Sequence, residues 1–258
     1  MLVKIIIEYD GADFYGWQRQ PKFRTVQGEI EKTLRYLSKT DIPIEGSGRT
    51  DAGVHAFGQV ASFDWTGPIP VEKLKYVLNH HTPDDIYIVD LEVVEDDFHA
   101  RFSAIGKCYT YKLYRSDRPS PLRRKHAYWV PDTFDMGEVC KAIEHLVGEH
   151  DFKAFMASGG HVTDTTRIIY KIDVEYYEDE IHFHFYGNGF LYNMIRILTG
   201  LIVDIGNGKK FERDVPGIIL SKNRSLVKHT AAAEGLYLRE VYYKKEDVNN
   251  ALRMPESE

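Results

Sequence analysis

The stretch Gly46-Ser47-Gly48-Arg49-Thr50-Asp51-Ala52-Gly53-Val54-His55-Ala56 gathers residue types that can do chemistry. Asp51 lies between Thr50 and Ala52, so no bulky neighbour in sequence shields its carboxylate from a substrate. Glycine reaches backbone angles that other residues avoid, so three glycines let such a loop aim a side chain or admit a ligand. Arg49, two positions away, favours the ionised carboxylate. An ionised, accessible Asp is what nucleophilic catalysis by a carboxylate requires. The same composition also describes an ordinary turn, because Asp bonds its own backbone and Gly supplies positive φ. The spacing G-x-x-x-x-G-K-[ST] of a phosphate loop is absent.

Other candidates are weaker. His182 and His184 alternate on one strand face, and two ligands are too few for a metal without further partners. His80 and His81 are adjacent and point to opposite sides if the chain is extended. Cys108 and Cys140 lack metal spacing and suit a reduced, cytoplasmic protein. No run of about 18 apolar residues predicts a transmembrane helix. Met1 to Tyr9 lacks the features of a signal peptide.

The net charge is −6, which taken alone argues against a nucleic-acid partner. Its distribution argues differently. Asp84, Asp85, Asp90, Glu92, Glu95, Asp96 and Asp97 form an acidic run without Lys or Arg. Lys107, Lys112, Arg115, Arg118, Arg123, Arg124 and Lys125 are opposed only by Asp117. A basic face can coexist with an acidic back, although runs of charge are usually solvated surface.

The elements that must position these residues follow from periodicity. Leu2 to Tyr9 is apolar and β-branched and predicts a buried strand, ended by Asp10-Gly11. Thr25 is a good N-cap for a helix carrying Val26, Ile30, Leu34 and Leu37. After the Gly-rich stretch come a strand over 58–65, a helix over 71–79 and a strand over 86–94. A long strand over 107–115 opens a second unit, followed by a basic loop over 116–125 and a short strand over 126–130. Val139, Ile143, Leu146 and Val147 predict a helix. The stretches 168–177 and 180–186 predict a hairpin, 190–205 an apolar helix and 215–220 a shorter one. A last strand covers 236–243 before a polar, frayed tail. This order predicts an α+β fold of two halves, each a mainly antiparallel sheet backed by helices. Residues 1–104 form the first half, 105–245 the second and 246–258 the tail.

Several blocks of the chain then stand out together. Tyr9-Asp10-Gly11 with Phe14, Gly16-Trp17-Gln18 and Gln20 is similar to the N-terminal signature of the TruA family of tRNA pseudouridine synthases. Thr25-Val26-Gln27-Gly28 resembles the next block, and Gly48 to Ala56 resembles the catalytic motif at all nine positions. His99 to Ala104 with Tyr109-x-Tyr111, Asn188-Gly189-Phe190-Leu191 with Met194, Arg196 and Gly200, and Gly235 to Leu238 resemble the remaining blocks. The resemblance runs from Tyr9 to Leu238. Two departures lie outside the catalytic motif: Ala232 and Thr82, where the family usually has Pro and Leu.

The resemblance implies two ferredoxin-like or RRM-like halves in the pseudouridine synthase fold. It implies isomerisation of uridine to pseudouridine at nucleotides 38 to 40 of the tRNA anticodon arm, without cofactor or metal, by a homodimer. It makes Asp51 the nucleophile, Arg196 its ion-pair partner and Tyr109 the residue that stacks on the uracil and could act as acid or base. Arg49, in the motif, would contact the RNA backbone or help extrude the base. The first step stays open among attack at C1′, attack at C6 and loss of the 2′ proton toward a glycal. Lys107, Arg123, Arg124 and Lys125, with Lys22, Arg24, Lys222, Arg224 and Lys228, are candidates for holding phosphates. Two other classes compete. A non-catalytic RNA-binding module leaves the Asp51 loop without a purpose. A glycoside hydrolase needs a second carboxylate, for which Asp164 is a candidate.

Overall fold

The computed structural model describes residues 1–160 and 162–253. In chain order the elements are β1 (Leu2–Tyr9), α1 (Val26–Ser38), β2 (Glu45–Gly46), β3 (His55–Asp64), α2 (Val71–His81) and β4 (Ile86–Val93). There follow β5 (Gly106–Arg115), β6 (Tyr128–Val130), α3 (Met136–Glu144), β7 (Gly148–Asp151), β8 (Thr166–Tyr177) and β9 (Glu180–Gly187). The chain ends with α4 (Met194–Gly206), α5 (Val215–Ser221), β10 (Leu236–Tyr242) and α6 (Lys245–Leu252). Among the described residues no helix is long and apolar enough to cross a membrane.

The chain divides into two compact units. The first comprises Met1–Ile105 with Tyr237–Tyr243, and the second Gly106–Leu236 with the segment from Lys244. Strand β10 therefore belongs almost wholly with the first unit, not with the second half to which its place in the sequence assigns it. Each unit is a mainly antiparallel sheet with helices, the α+β class that the pattern predicts.

In the first unit β1 is central, antiparallel to β3 on one side and to β4 on the other. Strand β10 adds in parallel to β3, with Tyr237 opposite His55. Alternation along β1 buries Val3, Ile5, Ile7 and Tyr9. Helix α1 starts as its sequence dictates: Thr25 is extended and its side chain accepts the Gly28 N–H. Val26, Ile30 and Leu34 are fully buried on one face.

In the second unit β5, β9, β8 and β7 form successive antiparallel neighbours, and β6 runs parallel to β5. Helix α4 is almost wholly buried, from Met194 to Gly206. It starts four residues later than its apolar run suggests. Asn193 takes the left-handed conformation, φ 59°, and that turn ends the irregular stretch from Phe190. Strands β2 and β7 were not anticipated, because two and four residues are too short to show a period. The tail also differs: residues 245–252 form α6, with Glu246 and Asp247 in its first turn, where the helix dipole favours acids. The rest of the tail, 254–258, lies outside the described residues.

Candidate active site

The Asp51 loop is held by backbone and core contacts on both sides. Ser47 N–H donates to Val60 O at 2.7 Å, and its hydroxyl donates to Gln59 Oε1 at 2.6 Å. Gln59, fully buried on β3, donates in turn to Gly48 O at 3.0 Å. Thr50 is buried and shares a hydrogen bond with the Tyr9 hydroxyl at the end of β1. Its carbonyl accepts Trp17 N–H at 3.1 Å. Beyond Asp51 the chain turns, with Val54 N–H donating to Asp51 O at 3.2 Å and Gly53 N–H to Phe14 O at 3.3 Å.

The segment 14–17 reaches the loop because Gly16 has φ +82° and no side chain. A Cβ there would sit 2.4 Å from Thr50 O, a clash that only glycine avoids. The aromatic loop from Phe14 and the Asp51 loop are thus one construction. The sequence signal was the glycine beside Trp17, and its purpose became visible only in three dimensions.

The first unit therefore presents Asp51 half-buried on a backbone fixed at Thr50. Arg49 is exposed and its Nε donates to Gln18 Oε1 at 3.0 Å. Beside the loop His55, Tyr237 and Phe57 form a stack, with centroids 4.5 Å apart for His55–Tyr237 and 4.9 Å for Phe57–Tyr237. Sequence reading met His55 and Tyr237 only as members of matching blocks, and Phe57 not at all. The stack depends on β10 lying beside β3, which no local pattern reveals.

The remaining candidates lie in the second unit. Tyr109, half-buried on β5 opposite Phe185, meets Phe190 edge-to-face at 5.4 Å. Arg196 is half-buried on the first turn of α4. Its Nε donates to Ala231 O at 2.8 Å and its Nη1 to Asn193 Oδ1 at 3.0 Å, while its own carbonyl accepts Ala231 N–H. The buried Tyr111 hydroxyl donates to Ala232 O at 2.7 Å. Burial, then the nearby Glu234 carboxylate, pushes the Tyr111 phenol well above its ordinary pKa, so it stays a donor. Tyr111 thus pins the segment that grips Arg196.

Members of the basic run differ in exposure. Arg123 bonds Asp179 at 2.7 Å in the β8–β9 turn and lies over the Tyr114 ring, 5.3 Å from its centroid. That hydrogen bond holds the Asp179 carboxyl below its ordinary pKa. Arg124 and Lys125 are exposed, and Lys107 is half-buried on β5. Elsewhere Arg24 makes two bonds to Asp85 at 2.6 and 2.8 Å, Lys222 lies 2.8 Å from Asp151, and Arg224 donates to Thr230. Lys22 and Lys228 are exposed.

The glycosidase reading finds little footing. Asp164 is exposed, accepts Thr166 N–H at 2.8 Å, and that bond lowers its pKa. A glycosidase acid needs its pKa raised. His184 is buried against the Thr110 hydroxyl at 2.8 Å, His182 lies 2.7 Å from Glu180, and His80 stacks on Tyr76. These are contacts of sheet and helix faces.

The family model described as tRNA pseudouridine synthase matches residues 5–103 and 142–244. The chain belongs to the tRNA pseudouridine synthase family. It is similar to tRNA pseudouridine synthase A of Lacticaseibacillus casei, 46% identical over 93% of this chain and 98% of that one. The Bacillus licheniformis protein of the same name is 46% identical, covering 94% of this chain and 99% of its own. The Geobacillus kaustophilus one is 42% identical and covers 97% of both. Within the synthase family the matched ranges take in the Asp51 loop and Arg196. Tyr109 and the basic stretch 116–125 fall between the two ranges.

Proposed function

We propose that the chain isomerises uridine to pseudouridine in tRNA, at nucleotides 38 to 40 of the anticodon arm, with Asp51 as nucleophile. The observation that carries this reading is the clamped Gly48–Ala56 loop. It fixes the backbone at Thr50 and turns immediately after Asp51.

The target uridine is stacked in an RNA helix, so it must be flipped out, which costs about a few kcal/mol. Contacts of Arg49, Lys107, Arg124 and Lys125 with phosphates offset that cost and make binding depend on salt. Tyr109 offers its ring for stacking on the extruded uracil. Arg196 is held on the first turn of α4 by Ala231 and Asn193.

Asp51 assists cleavage of the C1′–N1 bond. The uracil turns, C5 bonds to C1′, the C5 proton leaves to solvent, and N1 gains a proton. Substrate and product have the same atoms, so no redox partner or phosphate donor enters. The enzyme works in the cytoplasm as a homodimer.

Release of tritium from tRNA carrying [5-³H]uracil reads this reaction directly. The expected result is release from a tRNA with uridine at 38 to 40, and none from one lacking uridine there. Asp51→Asn should bind tRNA and lose release by several orders of magnitude. Absence of release with the wild type would overturn the reading, and retained release with Asp51→Asn would overturn the choice of nucleophile.

A further inference from the structure

A line of side-chain amides joins the buried face of α1 to the catalytic motif. Gln27 is almost fully buried on the first turn of α1. Its Nε2 donates to Glu31 Oε1 and to Ile44 O, each at 3.1 Å. Its Oε1 accepts Arg19 N–H at 2.9 Å and Gln18 Nε2 at 3.0 Å. Both amide hydrogens and both lone pairs of Gln27 are therefore used. Flipping the amide would face its NH2 with two donors and its oxygen with a carboxylate and a carbonyl. The orientation is fixed, and it fixes the next one. Gln18 must turn its NH2 toward Gln27, which leaves its oxygen for Arg49 Nε at 3.0 Å.

We propose that Gln18 and Gln27 are positioning residues for Arg49. The inference rests on the reading that the Arg49–Asp51 loop works on RNA. Arg49 is otherwise a long exposed side chain with several rotamers. A bond at Nε holds the guanidinium plane by its inner edge and leaves the outer Nη edge for a phosphate or a base oxygen. Glu31 anchors the far end of the line, because its second oxygen accepts Arg19 Nη1 at 2.7 Å and its first also accepts Ile44 N–H at 3.2 Å. The carboxylate thus orients Gln27, Gln27 orients Gln18, and Gln18 orients Arg49.

The test uses Gln18→Met, which keeps the length of an exposed side chain and removes both polar ends. The first readout needs no substrate: the ¹⁵N Nε–H resonance of Arg49, assigned by its loss in Arg49→Lys. It should exchange slowly with solvent in the wild type and rapidly in Gln18→Met. The second readout is tritium release. Gln18→Met should lower kcat/KM about tenfold, as loss of one hydrogen bond to a charged group predicts, and should have no further effect in an Arg49→Ala background. Unchanged Nε–H exchange, or an equal loss in both backgrounds, would overturn the positioning role. Failure of the functional reading looks different: the wild type releases no tritium while the Nε–H signal still responds to Gln18→Met.

Discussion

The hydroxyls of Tyr9 and Thr50 lie 2.8 Å apart in the core of the first unit, although the residues are 41 positions apart in sequence. The contact ties the end of β1 to the residue immediately before Asp51. Tyr9→Phe keeps the ring and its packing against Phe14 and Trp17, but takes away the hydroxyl that faces Thr50. Loss of a buried partner costs about 1–3 kcal/mol, or a fall in Tm of roughly 2–12 °C for a chain of this size. Turnover should fall while tRNA affinity stays at its wild-type level, since no phosphate contact is touched. Calorimetry and tritium release check this together. An unchanged Tm with unchanged turnover would mean that the loop is held elsewhere.

This pairing also shows where sequence reading stops. The strand over 2–9, the helix capped by Thr25 and the hairpin after Thr166 were legible because each follows from a local period or cap. The start of α4 was not, because the apolar run from Phe190 hides the left-handed turn at Asn193. Asp51 and Arg49 were visible because their signal is contiguous. The grip of Ala231 on Arg196 spans 35 positions, and the hold of Asp179 on Arg123 spans 56. No local pattern carries either. The parallel pairing of β10 with β3 was hidden for the same reason.

The basic run separates by exposure. Arg123 is committed to Asp179, whereas Arg124 and Lys125 are exposed. Arg124→Glu and Lys125→Glu should each weaken tRNA binding and lower the slope of log K against log salt by about one. Arg123→Ala should leave that slope nearly intact and loosen the β8–β9 turn, by no more than about 1 kcal/mol for so exposed a pair. Binding titrations at several salt concentrations check both. Equal slopes for the wild type and the Arg124 and Lys125 variants would return the run to ordinary surface.

Asp151 gives the fold an acid-sensitive tie. Lys222 and the Thr165 hydroxyl, aided by Lys153 N–H, hold its carboxyl below the ordinary pKa. A carboxyl depressed in the folded state stabilises the fold above its unfolded pKa of about 3.9. That contribution is lost as pH falls through the lower, folded value. Asp151→Asn should therefore lower Tm at neutral pH, and the gap to the wild type should close as the solution is made acidic. A gap that stays constant across the acid range would show that the carboxylate charge is not what holds this corner.

Ala232 is poised for proline. Its φ is −64° and its ψ 159°, and proline fixes φ near −65°. Among the described residues its N–H takes part in no hydrogen bond, so proline removes no partner. Its carbonyl, which accepts the Tyr111 hydroxyl, is retained by the substitution. Ala232→Pro should stabilise the protein by about 0.4–1 kcal/mol through the unfolded chain, raising Tm by roughly 1–4 °C. The segment holding Arg196 should stiffen as well, so hydrogen exchange at Ala231 N–H, which donates to Arg196 O, should slow. A lower Tm would mean that the ring strains the approach from Ala231. Slower exchange without loss of turnover would show that a firmer hold on Arg196 is compatible with catalysis.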